Sequence, residues 1–272
     1  MLLYRLFCPI IKSNLNSRRI IVKTIVVAQQ KGGVGKTALS LHLAWFFSEK
    51  KNKKVLFIDL DTQGNATYSL SNAAKISGSG DLFSGGYNFN STILDTAPLV
   101  LSPSTNSLAN IQSLTLQEAS ESFVFNLNRI KDFNYFDFCI IDTAPSLGNS
   151  LAAALMVSDF VICPIELETY SIQGIKQMAL TINSIKKFNK KLNFLGLLPS
   201  KVDMRNPRHI KHLQEIKVQY NEFLIPYVIG LRSSVADAVA SSVPVWKIKK
   251  TAARKAVKEM TDIANFVFTR CE

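Results

Sequence analysis

A glycine-rich stretch near the start of the sequence carries the residue types that bind phosphate. It reads Gln29-Gln30-Lys31-Gly32-Gly33-Val34-Gly35-Lys36-Thr37. Glycines let successive backbone N–H groups point at phosphate oxygens, and a helix that starts at the end of the stretch adds its dipole. Lys36 supplies a positive charge to the β- and γ-phosphates, and Thr37 offers a hydroxyl to Mg²⁺. The stretch therefore predicts a site for the phosphates of a nucleotide bound with magnesium.

Acidic residues close two of the apolar segments downstream. Asp59 and Asp61 end the run that begins at Val55, and Asp142 ends the run that begins at Phe136. Residues two apart on a strand point to the same side, and open α/β sheets bind ligands at the carboxyl ends of their strands. We therefore expect all three carboxylates near the phosphates, where they can orient a water for in-line attack or bind Mg²⁺ through water.

Short apolar segments alternate along the chain with longer amphipathic stretches, an order typical of parallel strands joined by helices. The predicted strands are 20–28, 55–59, 136–142, 160–165, 194–198 and 224–229. The predicted helices are 37–50, 120–131, 147–157, 171–188, 207–220 and 252–268, and a further helix opens at Arg232. We expect an α/β fold with a single doubly wound, mostly parallel sheet and helices on both faces. Residues 71–92, rich in Ser, Gly and Asn, predict a mobile surface insertion.

The composition excludes several classes of protein. Hydrophobic residues make up 47% of the 272 residues, too many for a chain that is disordered throughout. The four cysteines form no C-x-x-C pair, which argues against an iron–sulfur or zinc site and against a secreted disulfide scaffold. No apolar run reaches the length of about 18 residues that a membrane span needs. Residues 1–19 form a basic leader that we expect to be disordered, with an organelle transit peptide or a membrane-seeking segment as alternatives.

Positive charge is concentrated in the C-terminal third of the chain. The whole chain carries 32 Lys and Arg residues against 20 Asp and Glu, a net charge of +12. Residues 184–258 alone hold sixteen cations and four acids, and residues 1–48 hold seven cations and no acid. Such an excess suggests an anionic partner such as nucleic acid, although a run of charges is as readily a solvated face.

The phosphate-binding stretch departs from the general pattern G-x-x-x-x-G-K-[ST]. Gln30 stands where that pattern has glycine, and Lys31 adds a second lysine. This K-G-G-x-G-K-T form resembles the deviant Walker A motif of the ParA/MinD family, which has the P-loop NTPase fold. The resemblance covers roughly residues 20–268 and includes the segments 59–67, 142–148, 230–238 and 244–246. It implies a ParA/Soj-type ATPase that partitions chromosomes or plasmids, with residues 20–272 as its ATPase domain.

The resemblance also implies roles for single residues. Lys31 would reach across a nucleotide-bound dimer to the partner's phosphates, as a cation delivered in trans to the charge of the transition state. Asp61 would position the attacking water, and Asp59 would bind Mg²⁺ or support its ligands. The residues expected to be catalytic are Lys31, Lys36 and Asp61, and those at the metal are Thr37, Asp59 and Asp142. Those expected to bind the nucleotide phosphates are Lys31, Gly32, Gly33, Val34, Gly35, Lys36, Thr37 and Ala38.

Three positions depart from the family pattern, namely Ala38, Thr62 and Ala144. Family members usually carry a hydroxyl residue at the position of Ala38, where it contacts the α-phosphate, so we expect modestly weaker nucleotide binding here. Thr62 and Ala144 replace prolines in the segments that follow two of the strands, and neither change removes a carboxylate.

Recognition of the base rests on a weaker pattern. Ser200-Lys201-Val202-Asp203 follows a predicted strand and looks like the N/T-K-x-D element with which GTPases recognise guanine. Ser200 breaks that element, and the family resemblance implies ATP. We expect ATP and Mg²⁺ as cofactors, with Asp203 beside the base, and guanine is the alternative.

The family resemblance gives the basic third of the chain a function. In ParA proteins, basic residues of this region form a sequence-independent DNA-binding surface that becomes continuous in the ATP dimer. The candidates here are Arg205, Arg232, Lys247 and Lys250. The resemblance implies an ATP-dependent homodimer that binds DNA nonspecifically and is released after slow ATP hydrolysis, stimulated by a ParB-like centromere-binding protein. We expect a cytoplasmic, nucleoid-associated protein of a bacterium, without stable membrane association.

Two other functions stay open. A MinD-like, membrane-associated regulator of cell division would bind lipid through the last helix, but Val257, Met260, Ala264 and Val267 at helical spacing favour a core helix. A ParA-like ATPase that positions another cargo would share every motif. Because the phosphate loop starts at residue 31, we expect no N-terminal helix-turn-helix domain of the kind found in larger ParA proteins that repress their own operon.

Overall fold

The computed structural model describes residues 21–87, 97–168 and 171–272, without the side chains of 171–173. Its strands are β1 (Lys23–Val27), β2 (Val55–Leu60), β3 (Ala74–Lys75), β4 (Leu99–Ser102), β5 (Phe138–Thr143), β6 (Phe160–Glu166) and β7 (Asn193–Ser200). They form one seven-stranded sheet in the order β3-β4-β2-β5-β1-β6-β7. Every neighbouring pair in this sheet is parallel. The predicted leader, residues 1–19, lies outside the described residues.

Helices cover both faces of the sheet, which confirms the predicted doubly wound α/β fold. They are α1 (Lys36–Lys50), α2 (Asn65–Ser69), α3 (Leu116–Lys131), α4 (Asn149–Val157), α5 (Ser171–Lys186), α6 (Pro207–Tyr220), α7 (Ser233–Ala240) and α8 (Arg254–Cys271). Side chains alternate along each strand, so Ile25 and Val27 pack with α1, α7 and α8. Val26 packs on the other face with α3, α4, α5 and α6.

The prediction of a sixth strand at residues 224–229 is wrong. Within the described part of the chain this segment makes a single isolated bridge, which pairs Leu224 with Leu197. Ile225 and Ile229 each donate a backbone hydrogen bond of 2.9 Å to the edge strand β7. Pro226 lies between them and has no N–H to donate, so the segment covers the edge of the sheet without forming a ladder.

Residues 71–87, predicted as part of a mobile insertion, instead extend the sheet and the core. β3 pairs with β4, and a 3-10 helix at Ser79–Phe83 follows it. Phe83 is buried and lies 4.7 Å from Phe123 of α3, measured between ring centroids. β4 was not predicted from the sequence, because its apolar run, Leu99 to Leu101, is only three residues long. The rest of the predicted insertion, residues 88–92, lies outside the described residues.

The last helix, α8, is a core helix, as its residue spacing predicts. Met260, Ala264 and Val267 are each no more than 1% exposed, and Val257 packs at the margin of the same cluster. Helix α8 therefore has its apolar side covered by the protein. No helix in the described ranges is both long and apolar enough to cross a membrane.

A buried histidine joins α1 to the segment that precedes α8. The Nδ1 of His42 donates to the backbone oxygen of Ala38 at 2.6 Å, and its Nε2 accepts the backbone N–H of Val245 at 3.1 Å. This pattern fixes a neutral ring with its proton on Nδ1. About two helical turns further on, Glu49 accepts hydrogen bonds from Trp246 at 3.1 Å and from Lys247 at 2.6 Å. The helix that begins at the phosphate loop is thus attached to the basic C-terminal region.

His42 should make the stability of the protein depend on pH. Burial lowers the pKa of His42 from 6.5 to about 4, so the unfolded chain binds the proton first. We expect a loss of about 3 kcal/mol from this group as the pH falls from 6.5 to 4. His42→Gln, which cannot titrate, should lose less unfolding free energy than the wild type over that range in urea titrations. If His42→Gln lost as much unfolding free energy between pH 6.5 and 4 as the wild type does, His42 would not be the titrating group.

Candidate functional site

The phosphate-binding stretch leaves β1 where the order of the sheet reverses. Strand β1 lies between β5 and β6, and open α/β sheets bind ligands at such a point. Gly33 and Gly35 have φ values of 77° and 90°, left-handed conformations that residues with a side chain rarely adopt. Gly35 is the N-cap of α1 and has no side chain to bind the first N–H groups of the helix. These N–H groups are therefore directed at any anion in the loop.

Lys36 lies inside this loop as a buried cation. It is 6% exposed, and its Nζ donates to the backbone oxygen of Lys31 at 3.2 Å. Burial lowers the pKa of Lys36, and the negative charges of Asp142 and Asp61 oppose that change. This buried ammonium donates to only one carbonyl oxygen and therefore has N–H donors left for phosphate oxygens.

Asp142, at the carboxyl end of β5, has the character of a magnesium ligand. It lies in register with Val27 of β1 and with Asp59 of β2, and it is fully buried. Ser40 donates to its Oδ1 at 2.9 Å, whereas its Oδ2 is buried without a hydrogen-bond partner in the part of the chain that is described. Burial and the neighbouring Asp59 raise the pKa of Asp142 to about 7, against the effects of Thr37, Ser40 and Lys36.

The residues present fit a magnesium ion shared with a nucleotide. A buried carboxylate oxygen without a partner is costly unless a cation or its water occupies the site. Across the described ranges, no group of three or more His, Cys, Asp and Glu side chains could hold a metal ion. Mg²⁺ at nucleotide sites uses one or two carboxylates together with waters and phosphates, and Thr37 and Asp142 would supply the protein's part.

Replacing Asp142 should stabilise the nucleotide-free protein. Because its folded pKa of about 7 exceeds the ordinary 3.8, the folded state binds the proton more tightly, and stability is lost as the pH rises through this range. We expect Asp142→Asn to raise the free energy of unfolding by about 2 kcal/mol at pH 8, and by much less at pH 5. Urea titrations at the two pH values test this, with the exposed Asp81→Asn as control. Equal changes at both pH values would contradict it.

Asp59 and Asp61 end the same strand but have different surroundings. The Oδ2 of Asp59 accepts both the backbone N–H of Thr67 at 2.8 Å and its hydroxyl at 2.7 Å, and Oδ1 accepts the amide of Asp61 at 3.1 Å. Burial raises the pKa of Asp59. The Oδ1 of Asp61 accepts the backbone N–H of Gln63 at 3.0 Å. Asp61 also lies close enough to Lys36 for its charge to affect the pKa of Lys36. Asp59 is thus built into the turn after β2, and Asp61 lies beside the loop cation.

The additional lysine of the loop is paired within its own chain. The Nζ of Lys31 lies 2.9 Å from Oε2 of Glu166 and also contacts Glu168. Oε1 of Glu166 lies 3.4 Å from Nζ of Lys201. Neither glutamate was predicted from the sequence, because the predicted strand ends at Ile165. An acid at the carboxyl end of a strand that flanks the phosphate loop was the signal that could have found them.

Asp203, the residue expected beside the base, lines a cavity of about 410 Å³. The cavity is formed by residues 202–205, 228, 230–234, 252, 255 and 259. Ser200, two residues before this lining begins, has its Oγ 3.1 Å from the position that a β-carbon on Gly35 of the phosphate loop would take. Both carboxylate oxygens of Asp203 accept hydrogen bonds from Arg205, at 3.0 and 3.1 Å. Arg232 pairs with Glu259 at 2.5 and 2.9 Å in the same cavity.

The four candidate DNA-binding cations do not form one cluster. Arg205 and Arg232 line the cavity described above, beside Asp203. Lys247 pairs with Glu49 of α1 at 2.6 Å, and Lys250 pairs with Asp237 of α7 at 2.8 Å. Each of the four candidates therefore has a carboxylate partner within its own chain.

Comparison with known proteins agrees with this geometry. Residues 22–194 match a family model described as an AAA domain. The chain is 50% identical over 264 residues to protein IncC of Escherichia coli, an alignment that covers 92% of this chain and 70% of IncC. It is 28% identical over 228 residues to the chromosome-partitioning ATPase Soj of Thermus thermophilus, covering 80% of this chain and 84% of Soj.

A solved structure shows the same fold. It is the crystal structure of a putative plasmid partition protein from Borrelia burgdorferi bound to AMPPNP. The TM-score is 0.75 at 24% identity, with 92% of this chain and 100% of that chain covered. The fold is therefore shared with a nucleotide-bound protein of very different sequence.

Proposed function

Because this chain belongs to the ParA/Soj family of partition ATPases, we propose that it partitions DNA through an ATP-bound homodimer. In the proposed cycle, two chains each bind ATP and then associate into a dimer that encloses the two nucleotides. The dimer binds DNA without regard to sequence, and slow hydrolysis, stimulated by a ParB-like centromere-binding partner, releases it. Residues 20–272 form the ATPase unit, and we place the protein on the nucleoid in the bacterial cytoplasm.

The observation that carries this proposal is the set of charges around Lys36. A buried ammonium at the start of α1 lies near Asp142 and Asp61. Asp142 is at the end of β5, which flanks β1, and Asp61 comes directly after β2, the next strand in the sheet. Lys36 binds the β- and γ-phosphates, and Asp61 positions the water that attacks the γ-phosphate. Mg²⁺, when bound, neutralises the phosphate charge that develops, with Thr37 and Asp142 as the protein residues that hold it. Asp59 supports this edge through Thr67.

The cavity beside Asp203 supports an adenine base. Its volume of about 410 Å³ and its position next to the end of β7 suit a nucleoside whose phosphates lie in the loop. In guanine recognition, an aspartate at the position of Asp203 accepts hydrogen bonds from the base. Here Arg205 occupies both of its oxygens, so it offers no ready acceptor to guanine. We therefore assign ATP, with residues 230–234 as the opposite wall.

The surface beside Lys31 supports pairing of two chains. Residues 30, 31, 145–147, 174 and 177 line an open depression of about 630 Å³. Leu147 is 39% exposed there. An exposed apolar side chain next to a cation is a feature that a partner's surface would cover. A second chain there would bring each Lys31 toward the partner's phosphates.

The charge distribution supports DNA as the anionic partner. Sixteen cations lie within residues 184–258. Phosphate contacts of lysine and arginine carry no base information and make affinity fall with salt, by about 0.9 in log–log slope per neutralised phosphate. We assign contacts to DNA in the dimer to Arg205, Arg232, Lys247 and Lys250. Lys247 and Lys250 must each exchange a carboxylate of their own chain for a phosphate. Arg205 and Arg232 each use only two nitrogens on a carboxylate and keep further N–H donors for a phosphate.

The test is a DNA-binding assay on duplexes of random sequence, with ATP, ADP or no nucleotide, across a salt series. We expect binding only with ATP and Mg²⁺, and a steep loss of affinity with salt. Two duplexes of unrelated sequence and equal length should bind equally. Equal binding in ATP and ADP would remove the nucleotide switch from the proposal, and binding to liposomes in ATP without binding to DNA would favour the MinD-like alternative.

A further inference from the structure

Lys31 is held by an ion cluster that the proposed cycle does not use. Its Nζ contacts Glu168 and lies 2.9 Å from Glu166, whose other oxygen lies 3.4 Å from Lys201. The Glu166 side chain is 16% exposed, against 42% for Lys31, 44% for Lys201 and 58% for Glu168. Glu166 is thus the most enclosed member of the cluster, and it bridges two lysines.

The topology of the sheet explains why these groups meet. Strand β6 lies between β1 and β7, so its carboxyl end lies between the phosphate loop and Lys201. Lys201 has a φ of 54°, and its Nζ lies 4.0 Å from the position that a β-carbon on Gly33 would take. Both lysines bound by Glu166 are therefore at the mouth of the loop, where the phosphates would enter.

We propose that Glu166 and Glu168 are positioning residues that hold Lys31 within its own chain and thereby set how readily ATP-bound chains pair. The inference rests on the proposed function of Lys31 in trans, because one ammonium cannot bind the glutamates of its own chain and a partner's phosphates at the same time. A polyphosphate at the loop mouth repels the two carboxylates and attracts both lysines. Nucleotide binding and release of Lys31 therefore favour each other.

The direction of the pKa of Lys31 agrees with this arrangement. Burial alone would lower the pKa of Lys31, but the hydrogen bonds and charges of Glu168 and Glu166 outweigh it and raise the pKa. The same contacts lower the pKa of Glu168. In the nucleotide-free chain, Lys31 is therefore charged and bound by its own glutamates.

The test compares the wild type with the double variant Glu166→Gln/Glu168→Gln by sedimentation, using a non-hydrolysable ATP analogue and Mg²⁺. We expect half-maximal dimerisation of the double variant at about five- to tenfold lower protein concentration, as two partly exposed ion pairs in each chain allow. A gain that needs the ATP analogue and stops at the dimer is not a result that misfolding produces, because misfolded chains aggregate without nucleotide. Glu215→Gln, which removes a charge from a surface pair with Lys211 on α6, is the matched control and should match the wild type.

A second readout shows whether the glutamates act through Lys31. In NMR titrations of ¹³C-methylated lysines, the signal that Lys31→Ala removes should titrate at lower pH in the double variant than in the wild type. Unchanged or weaker dimerisation of the double variant overturns the inference while leaving the proposed function in place. A wild type that never dimerises with any ATP analogue overturns both.

Discussion

Lys36→Ala should abolish nucleotide binding. Lys36 is the buried cation of the loop, and its Nζ has a backbone oxygen as acceptor at 3.2 Å. Removing it leaves the β- and γ-phosphates in a low-dielectric site without their main counter-charge. It also removes an ammonium that stabilises ionised Asp142. Loss of one partner from a buried charge pair costs about 3 kcal/mol or more, so we expect ATP affinity to fall at least about 100-fold.

Calorimetry with ATP and Mg²⁺ measures this loss directly. Lys36→Met keeps the buried aliphatic stem and separates the effect of charge from that of a cavity. Lys50→Ala removes a lysine from the other end of the same helix and is expected to bind ATP as the wild type does. Retention of affinity within fivefold by Lys36→Met would show that the phosphates lie elsewhere.

Asp61→Ala should separate ATP binding from ATP hydrolysis. Asp61 lies beside the loop cation, whereas Asp59 on the same strand is engaged by Thr67. In the proposed function Asp61 positions the attacking water, and a group in that role contributes about 10²- to 10⁴-fold. We expect hydrolysis to fall at least 100-fold while ATP still binds, so that dimers accumulate on DNA.

Single-turnover hydrolysis and nitrocellulose filter binding to DNA measure the two effects on one preparation. Asp61→Asn keeps an Oδ1 acceptor for the backbone N–H of Gln63, so it preserves the turn and removes only the charge. Asp262→Ala, which breaks a surface pair with Lys258, serves as control. A variant that binds ATP but never forms dimers would refute the assignment of Asp61 to water positioning.

The sequence predicted the parts of the site that local chemistry fixes. The phosphate loop could be located because glycines at 33 and 35 are needed for left-handed backbone, and Lys36 begins the helix that follows. Asp59, Asp61 and Asp142 could be placed at one edge because each follows an apolar run, and parallel strands end at the same edge. Periodicity likewise predicted α6 at its observed bounds and α8 as a core helix.

What the sequence did not predict depends on contacts between distant segments. The pairing of Lys31 with Glu166 requires knowing that β6 neighbours β1, which no local pattern states. The segment 224–229 has the composition of a strand, but Pro226 and its position at the sheet edge prevent a ladder. β3 and β4 are two and four residues long, and such short runs carry too little periodicity to be recognised.

The pairing of all four candidate DNA-binding cations has a consequence for mutagenesis. Replacing Lys250 by alanine, for example, removes a cation and also leaves Asp237 without its partner. The measured loss then combines a missing phosphate contact with a new repulsion between carboxylate and DNA, so an alanine scan overstates the contribution of each cation. Only a double-mutant cycle that also neutralises the partner acid, such as Lys250→Ala with Asp237→Asn, isolates what each cation contributes to the affinity for DNA.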